Sequence, residues 1–178
     1  MKIYIDQSGK VEQTQKDTVL ACVSYMGKSK QFRSVKISAR TKRRLQDIFR
    51  QVGRPRDFVI YVFSAACYLL FKPDLIHEPD VIIDIEYPGQ EKNIIKIINA
   101  LCADKKIPDP MVSFSLLGKL SEAHDRAIKT LHKQYKTDLI LSFETIYKEC
   151  FSTKNGRPAL KYQVAMTSGK SAPLRPNL

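Results

Sequence analysis

A chain of 178 residues with 43% hydrophobic residues is long and apolar enough for one domain with its own core, which excludes wholesale disorder. Thirty Lys and Arg against 18 Asp and Glu give a formal charge of +12, so a polyanionic partner is expected: nucleic acid, or an anionic membrane surface. Cys22, Cys67, Cys102 and Cys150 are far apart with no CxxC pair, which leaves no local zinc site and no call for an oxidising compartment.

Residues 2–8 alternate, with Ile3 and Ile5 on one face and Tyr4 and Asp6 on the other, and read as a strand. Gly9-Lys10 turns the chain. Residues 18–25 and 32–37 are two further strands around Gly27, which makes an antiparallel meander. Ser38 or Thr41 can cap a helix starting near Lys42, broken by Gly53 and the pre-proline Arg54. Residues 57–71 are apolar on nearly every face, as in a buried helix, and the apolar run 58–71 is short of the about 20 residues a bilayer span requires. Lys2 and Asp6 interrupt the only early apolar run, so no signal peptide is expected. A cytoplasmic protein without membrane contact follows as the expectation.

Residues 80–87 (DVIIDIEY) form a fourth strand, read as central and buried on both faces. Ile94, Ile95, Ile98 and Leu101 recur at helical spacing over 91–103. Residues 111–117 are a fifth strand, 121–135 a helix, and 139–150 a final helix. From Thr153 the chain is rich in Lys, Arg, Gly, Pro and Ser. The expected organisation is therefore an α/β domain over 1–150 and a basic tail over 151–178, within which 159–166 could add a short strand. Three meandering strands followed by alternating helices and strands predict a mixed five-stranded sheet with helices on both faces.

Three places put acids where such a sheet would gather them. Asp6 lies inside the first strand. Asp84 and Glu86 share one face of the fourth by period two. Glu122 and Asp125 stack by their i, i+3 spacing near a helix start. Converging carboxylates repel one another, and a pair of divalent cations removes that cost. Mg²⁺ and Mn²⁺ prefer oxygen ligands, and two ions about 4 Å apart suit phosphodiester hydrolysis. Of Asp84 and Glu86, either can be the ligand, with Glu86 preferred. His124, beside Asp125, can assist proton transfer or position the attacking water, or be a solvated side chain. Arg40, Lys42, Arg43, Arg44 and Arg50 crowd the first helix, Arg54 and Arg56 continue the run, and Lys154 and Arg157 open the basic tail; together they read as a phosphate track. No GxxxxGK[ST] or GxGxxG occurs, and Ser8 and Ser121 have no His-Asp relay. The sequence therefore shows no nucleotide-binding loop and no serine hydrolase.

The opening IYIDQSG resembles the first strand of the ribonuclease H-like superfamily, and VIIDIEYPG resembles its fourth, which ends in a second metal-binding carboxylate. SEAHDRAIK resembles the late helix of RuvC-type Holliday-junction resolvases, where two acids three apart precede a run of small residues. The resemblance covers roughly residues 1–135. It implies metal ligands at Asp6, Glu86 (or Asp84), Glu122 and Asp125, with Mg²⁺ or Mn²⁺, two ions, as cofactor. The segment between the third and fourth strands is basic and offers no helix-borne Glu of the kind that hybrid-cutting ribonucleases H use, which favours the resolvase arrangement. The resemblance implies a divalent-metal-dependent nuclease, acting on DNA before RNA and, in the junction-resolving subtype, as a symmetric homodimer. The alternative is a basic, non-catalytic nucleic-acid-binding protein on the same scaffold.

Overall fold

Ile3 and Ile5 are fully buried on one face of β1 (Lys2–Ser8), while Tyr4 and Asp6 project from the other. This alternation divides the domain into two layers of unequal thickness. The computed structural model describes residues 1–118 and 121–151. β1 pairs antiparallel with β2 (Thr18–Met26), which pairs antiparallel with β3 (Ser29–Ile37), as the meander predicts. On its other edge β1 pairs parallel with β4 (Asp80–Asp84), and β4 with β5 (Met111–Ser115).

Among the described residues the sheet has six strands in the order β5-β4-β1-β2-β3-β6, not the expected five. The sixth, β6 (Leu139–Leu141), lies parallel to β3 and occupies the start of what reads as one helix over 139–150. The helical part, α5 (Phe143–Cys150), begins only after Ser142, whose hydroxyl accepts the Thr145 amide at 3.1 Å. Asp138 explains the change of conformation. Its carboxylate accepts both the amide and the hydroxyl of Ser34, at 2.8 and 2.6 Å, and pins the approaching chain to the edge of β3.

Four helices cover the face of Ile3 and Ile5. α1 (Ala39–Gln51) is capped by Ser38 and buries Leu45 and Phe49. α2 (Phe58–Phe71) is apolar all round and forms the centre of the core with Val62, Phe63, Ala66 and Leu70. α3 (Glu91–Asp104) and α5 complete the layer. With the 3₁₀ turns at both ends of α2 the helical run extends over Pro55–His77, 23 residues. It is therefore long and apolar enough to cross a membrane, contrary to the shorter run read from sequence. Most of it is buried among the other helices and the sheet, which is the place of a core helix in an α/β domain. Phe151, at the expected start of the tail, also belongs to the core: it is buried, with its ring 4.8 Å from that of Phe49.

Among the described residues the opposite face carries only α4 (Glu122–Leu131). Its Ala123 and Ala127 are fully buried and let the helix lie close on β1 and β2. Because α4 stops short of β4, that strand is buried on one side only: Val81 and Ile83 are inside, Ile82 is half-buried. The expectation of two-sided burial fails here for want of a second covering helix. Asp6 and Asp84 project from this thinly covered face.

Candidate metal centre

Period two along β1 and β4 places Asp6 and Asp84 side by side on the α4 face, because Ile5 and Ile83 are partners in the parallel ladder. β4 ends at Asp84, and Glu86 joins them through a tight bend in which its amide donates to the Asp84 carbonyl at 2.9 Å. Asp6, Asp84 and Glu86 each offer a ligand atom, all within 4.8 Å of one another, so the three can hold a metal ion. An octahedral Mg²⁺ with oxygens at about 2.1 Å spaces its ligands about 3–4 Å apart, so closing this cluster on an ion asks for only a small movement.

Each member has a distinct environment. Asp6 is 3% exposed; its Oδ2 lies 3.3 Å from His124 Nδ1, and its Oδ1 is buried with no hydrogen-bond partner. An unsatisfied buried carboxylate oxygen is costly, and a cation is the chemical partner that suits it. Asp84 Oδ1 accepts the Leu117 amide at 2.7 Å, which fixes its rotamer from the loop after β5. Burial pushes the Asp6 carboxyl above its ordinary range and the negative charge of Asp84 adds to this, while His124 and the Gln7 amide oppose it. Burial likewise raises Glu86 to about 7, helped by Asp6 and Asp84 and opposed by Lys10. These shifts describe carboxylates that resist joint ionisation without a cation. The donor set is all oxygen, which fits Mg²⁺ or Mn²⁺ and disfavours zinc.

Of the expected site residues, the structure brings together Asp6, Asp84 and Glu86, with His124 against Asp6. Both Asp84, at the end of β4, and Glu86, in the bend after it rather than on the strand as expected, are in the cluster, so the preference for one over the other dissolves. Glu122 and Asp125 are elsewhere. Glu122 accepts the Tyr25 hydroxyl at 2.6 Å and pairs with Lys30 near the start of β1, the end opposite Asp6. Those two partners hold its carboxyl below the usual range. Asp125 pairs with Lys129 at 2.9 Å along the exposed side of α4. The buried stripe of Ala123 and Ala127 fixes the rotation of α4, and neither acid lies on it. Three carboxylates suffice for one ion, and the ligand set expected for two ions loses Glu122 and Asp125.

The basic track is also rearranged. Lys42 is fully buried; its ammonium donates to the carbonyls of Lys10 and Gln13, each at 2.9 Å, and to the Thr18 hydroxyl at 2.6 Å. Burial lowers its pKa to about 8. It clamps the loop that follows β1 and is not open to phosphate. Arg40, Arg43 and Arg44 are exposed; Arg43 donates to the Thr14 carbonyl, and Arg44 lies over the Phe143 ring at 3.9 Å. Arg54 is engaged with Asp57 and Tyr61, and Arg56 is exposed. Lys154 and Arg157, with the strand expected over 159–166, lie outside the described residues.

Two positioning groups escape a reading of sequence. Tyr87, which looks like ordinary core, receives the Val11 amide at 3.3 Å and contacts Glu12 Oε2 at 3.1 Å and Gln7 Nε2 at 3.3 Å. It ties the bend bearing Glu86 to the strand bearing Asp6. The Leu117 amide is invisible because any residue supplies one. Comparison with protein-family models, curated proteins and solved structures finds no match for this chain.

Proposed function

We propose that the protein is a divalent-metal-dependent nuclease of the ribonuclease H-like kind. The observation that carries this reading is the buried Asp6 Oδ1, which has no partner and stands among three carboxylates on the two central parallel strands. The strand arrangement supports it: an antiparallel β1-β2-β3 meander continued by parallel β4 and β5 is the order the resemblance implies, with β6 as an addition.

In this reading Asp6, Asp84 and Glu86 hold the cation, Mg²⁺ or Mn²⁺. Such an ion supplies Lewis-acid polarisation of a phosphodiester and a nucleophilic water at neutral pH. His124 holds the Asp6 carboxylate through Oδ2 and keeps Oδ1 turned to the cluster. The Leu117 amide does the same for Asp84. Arg40 and Arg43, at the start of α1, stand at the same end of the sheet as the cluster, because Ile37 at the end of β3 and Ser8 at the end of β1 both lie there. They supply positive charge for a polyanionic strand.

A cleavage assay tests this. Wild-type protein and Asp6→Asn meet labelled four-way junction, duplex, single strand and RNA–DNA hybrid in Mg²⁺, Mn²⁺ or EDTA. The expected result is metal-dependent cutting that disappears in Asp6→Asn. Binding without cutting in either metal would overturn the nuclease and leave a basic binding protein.

A further inference from the structure

The bend that carries Glu86 leads directly into α3, and a basic cleft opens at that same end of the molecule. It lies between the N-terminal residues of α2 and the N-terminal half of α3, has a volume of about 280 Å³, and is lined by Arg54, Arg56, Tyr61, Gln90, Asn93 and Lys96. Its link to the acidic cluster runs along the chain, from the α4 face of the sheet to the helical layer that covers the face of Ile3 and Ile5. Tyr87 follows Glu86, packs edge-on against Phe63 of α2 with ring centroids 5.0 Å apart, and accepts the Gln90 amide at its carbonyl.

The chemistry of the lining selects the ligand. Three cations face a single carboxylate, that of Asp57. Arg54 is held in place: its Nε bonds to Asp57, its Nη2 donates to the Tyr61 hydroxyl at 3.0 Å, and its guanidinium lies 5.0 Å over the Tyr61 ring. Arg56 and Lys96 are exposed and make no ion pair among the described residues, so their donors are unspent. Asn93 Nδ2 donates to Gln90 Oε1 at 2.8 Å, which fixes the Gln90 amide and frees its nitrogen to donate. A fixed arginine, two free cations and an oriented amide are the donors that a tetrahedral dianion or a phosphodiester accepts. The volume is enough for one phosphate.

We propose that this cleft is a phosphate subsite, taking a backbone phosphate of the nucleic acid on which the acidic cluster acts. The choice of polyanion rests on the nuclease reading; the anion preference of the cleft does not. Lys96 is the residue the sequence conceals, since it sits on the polar side of an amphipathic helix like any solvated lysine.

The test uses the full chain and a fluorescein-labelled single-stranded oligonucleotide in EDTA, read by fluorescence anisotropy over a series of salt concentrations. The double variant Arg56→Gln/Lys96→Gln is compared with Lys133→Gln/Lys136→Gln, which removes the same charge from exposed positions beyond α4. The cleft variant is expected to lose about tenfold in affinity and to flatten the salt slope by about 1–2, while the control changes by less than about twofold. Equal losses in both double variants, or no loss in either, would overturn the subsite. A titration with inorganic phosphate is the second arm: phosphate binding that needs Arg56 and Lys96, with oligonucleotide affinity unchanged, would assign the cleft to a free anion and overturn the strand subsite. Mn²⁺ calorimetry on the same proteins separates the two readings. If Asp6→Asn leaves Mn²⁺ affinity intact while the cleft variant loses oligonucleotide, the nuclease fails and the subsite stands. If Mn²⁺ binding needs Asp6 and the cleft variant binds normally, the subsite alone fails.

Discussion

His124 Nδ1 approaches one oxygen of Asp6 to 3.3 Å, and the other oxygen of the same carboxylate is buried without a partner. The two halves of the contact belong together. Ser121 caps α4 through the His124 amide at 3.0 Å, so the cap that starts the helix also places the imidazole over β1. In the proposed metal site His124 is the outer support of a ligand. His124→Ala is expected to lower Mn²⁺ affinity about tenfold, and His124→Gln, which retains a donor, to recover part of it. Calorimetry on the three proteins checks this; equal affinity in all three would reduce His124 to a bystander.

Asp6→Asn should separate binding from folding. Asp6 is buried, faces Asp84, and has its carboxyl pushed upward by both. Removing its charge relieves that repulsion while removing a ligand of the proposed ion. The variant is expected to melt higher than wild type in EDTA and to lose the stabilisation that Mn²⁺ gives wild type. A gain of about 1 kcal/mol would raise the midpoint by about 2–4 °C in a chain of this size. A lower midpoint in EDTA would mean that Asp6 is a structural residue.

Much of this site is legible in the sequence because strand periodicity is local. Asp6 among Ile3 and Ile5, and Asp84 after Val81 and Ile83, announce a polar spot on an otherwise apolar pair of strands, whereas Glu86 reaches it through a bend beyond the end of β4 and not by period two. Glu122 and Asp125 are misread because i, i+3 spacing says only that two residues share a face; which face turns inward is decided by Ala123 and Ala127 against the sheet. β6 is hidden for a similar reason. Three residues carry no period, and the ties from Asp138 to Ser34 span 104 positions of sequence. Lys42 looks like its exposed neighbours until the loop after β1 folds over it.

The pH dependence of stability has a defined sign. Glu86 holds its proton more tightly in the folded chain, with a pKa of about 7, than at its ordinary value of 4.5, and Asp6 shifts in the same direction. Their contribution is full below the unfolded pKa and is lost as pH rises through the folded one. Urea midpoints in EDTA are therefore expected to fall between about pH 5 and about pH 7.5. Saturating Mn²⁺ should reverse the trend, because it binds the ionised folded cluster. In Glu86→Gln the decline should shrink; an unchanged decline would assign it to other groups.

Gly9 turns the chain directly after β1. Its φ is +74°, and a Cβ there would lie 2.5 Å from the Asp17 carbonyl oxygen, a backbone atom that has little freedom to yield. Gly9→Ala combines left-handed strain with a clash, and a loss of about 1–3 kcal/mol is expected. Denaturant unfolding gives the value. A neutral result would require the loop over 10–17 to shift, and Mn²⁺ affinity would then report whether Asp6 moved with it.

Lys42 distinguishes a structural cation from a phosphate contact. Two of its three acceptors are carbonyls of the loop between β1 and β2, the third is the Thr18 hydroxyl at the start of β2, and Thr18 Oγ1 also donates to the Lys10 carbonyl at 3.2 Å. Lys42→Met keeps the length of the side chain and its apolar packing but strands those acceptors in a buried place. The expected cost is about 2–4 kcal/mol in denaturant unfolding, with oligonucleotide affinity of the folded fraction unchanged. Arg40→Gln/Arg43→Gln should behave in the opposite way, with stability held within about 0.5 kcal/mol and affinity reduced. If Lys42→Met weakened oligonucleotide binding without destabilising the fold, the buried clamp would be the wrong account of this residue, and the loop would have to open to expose it.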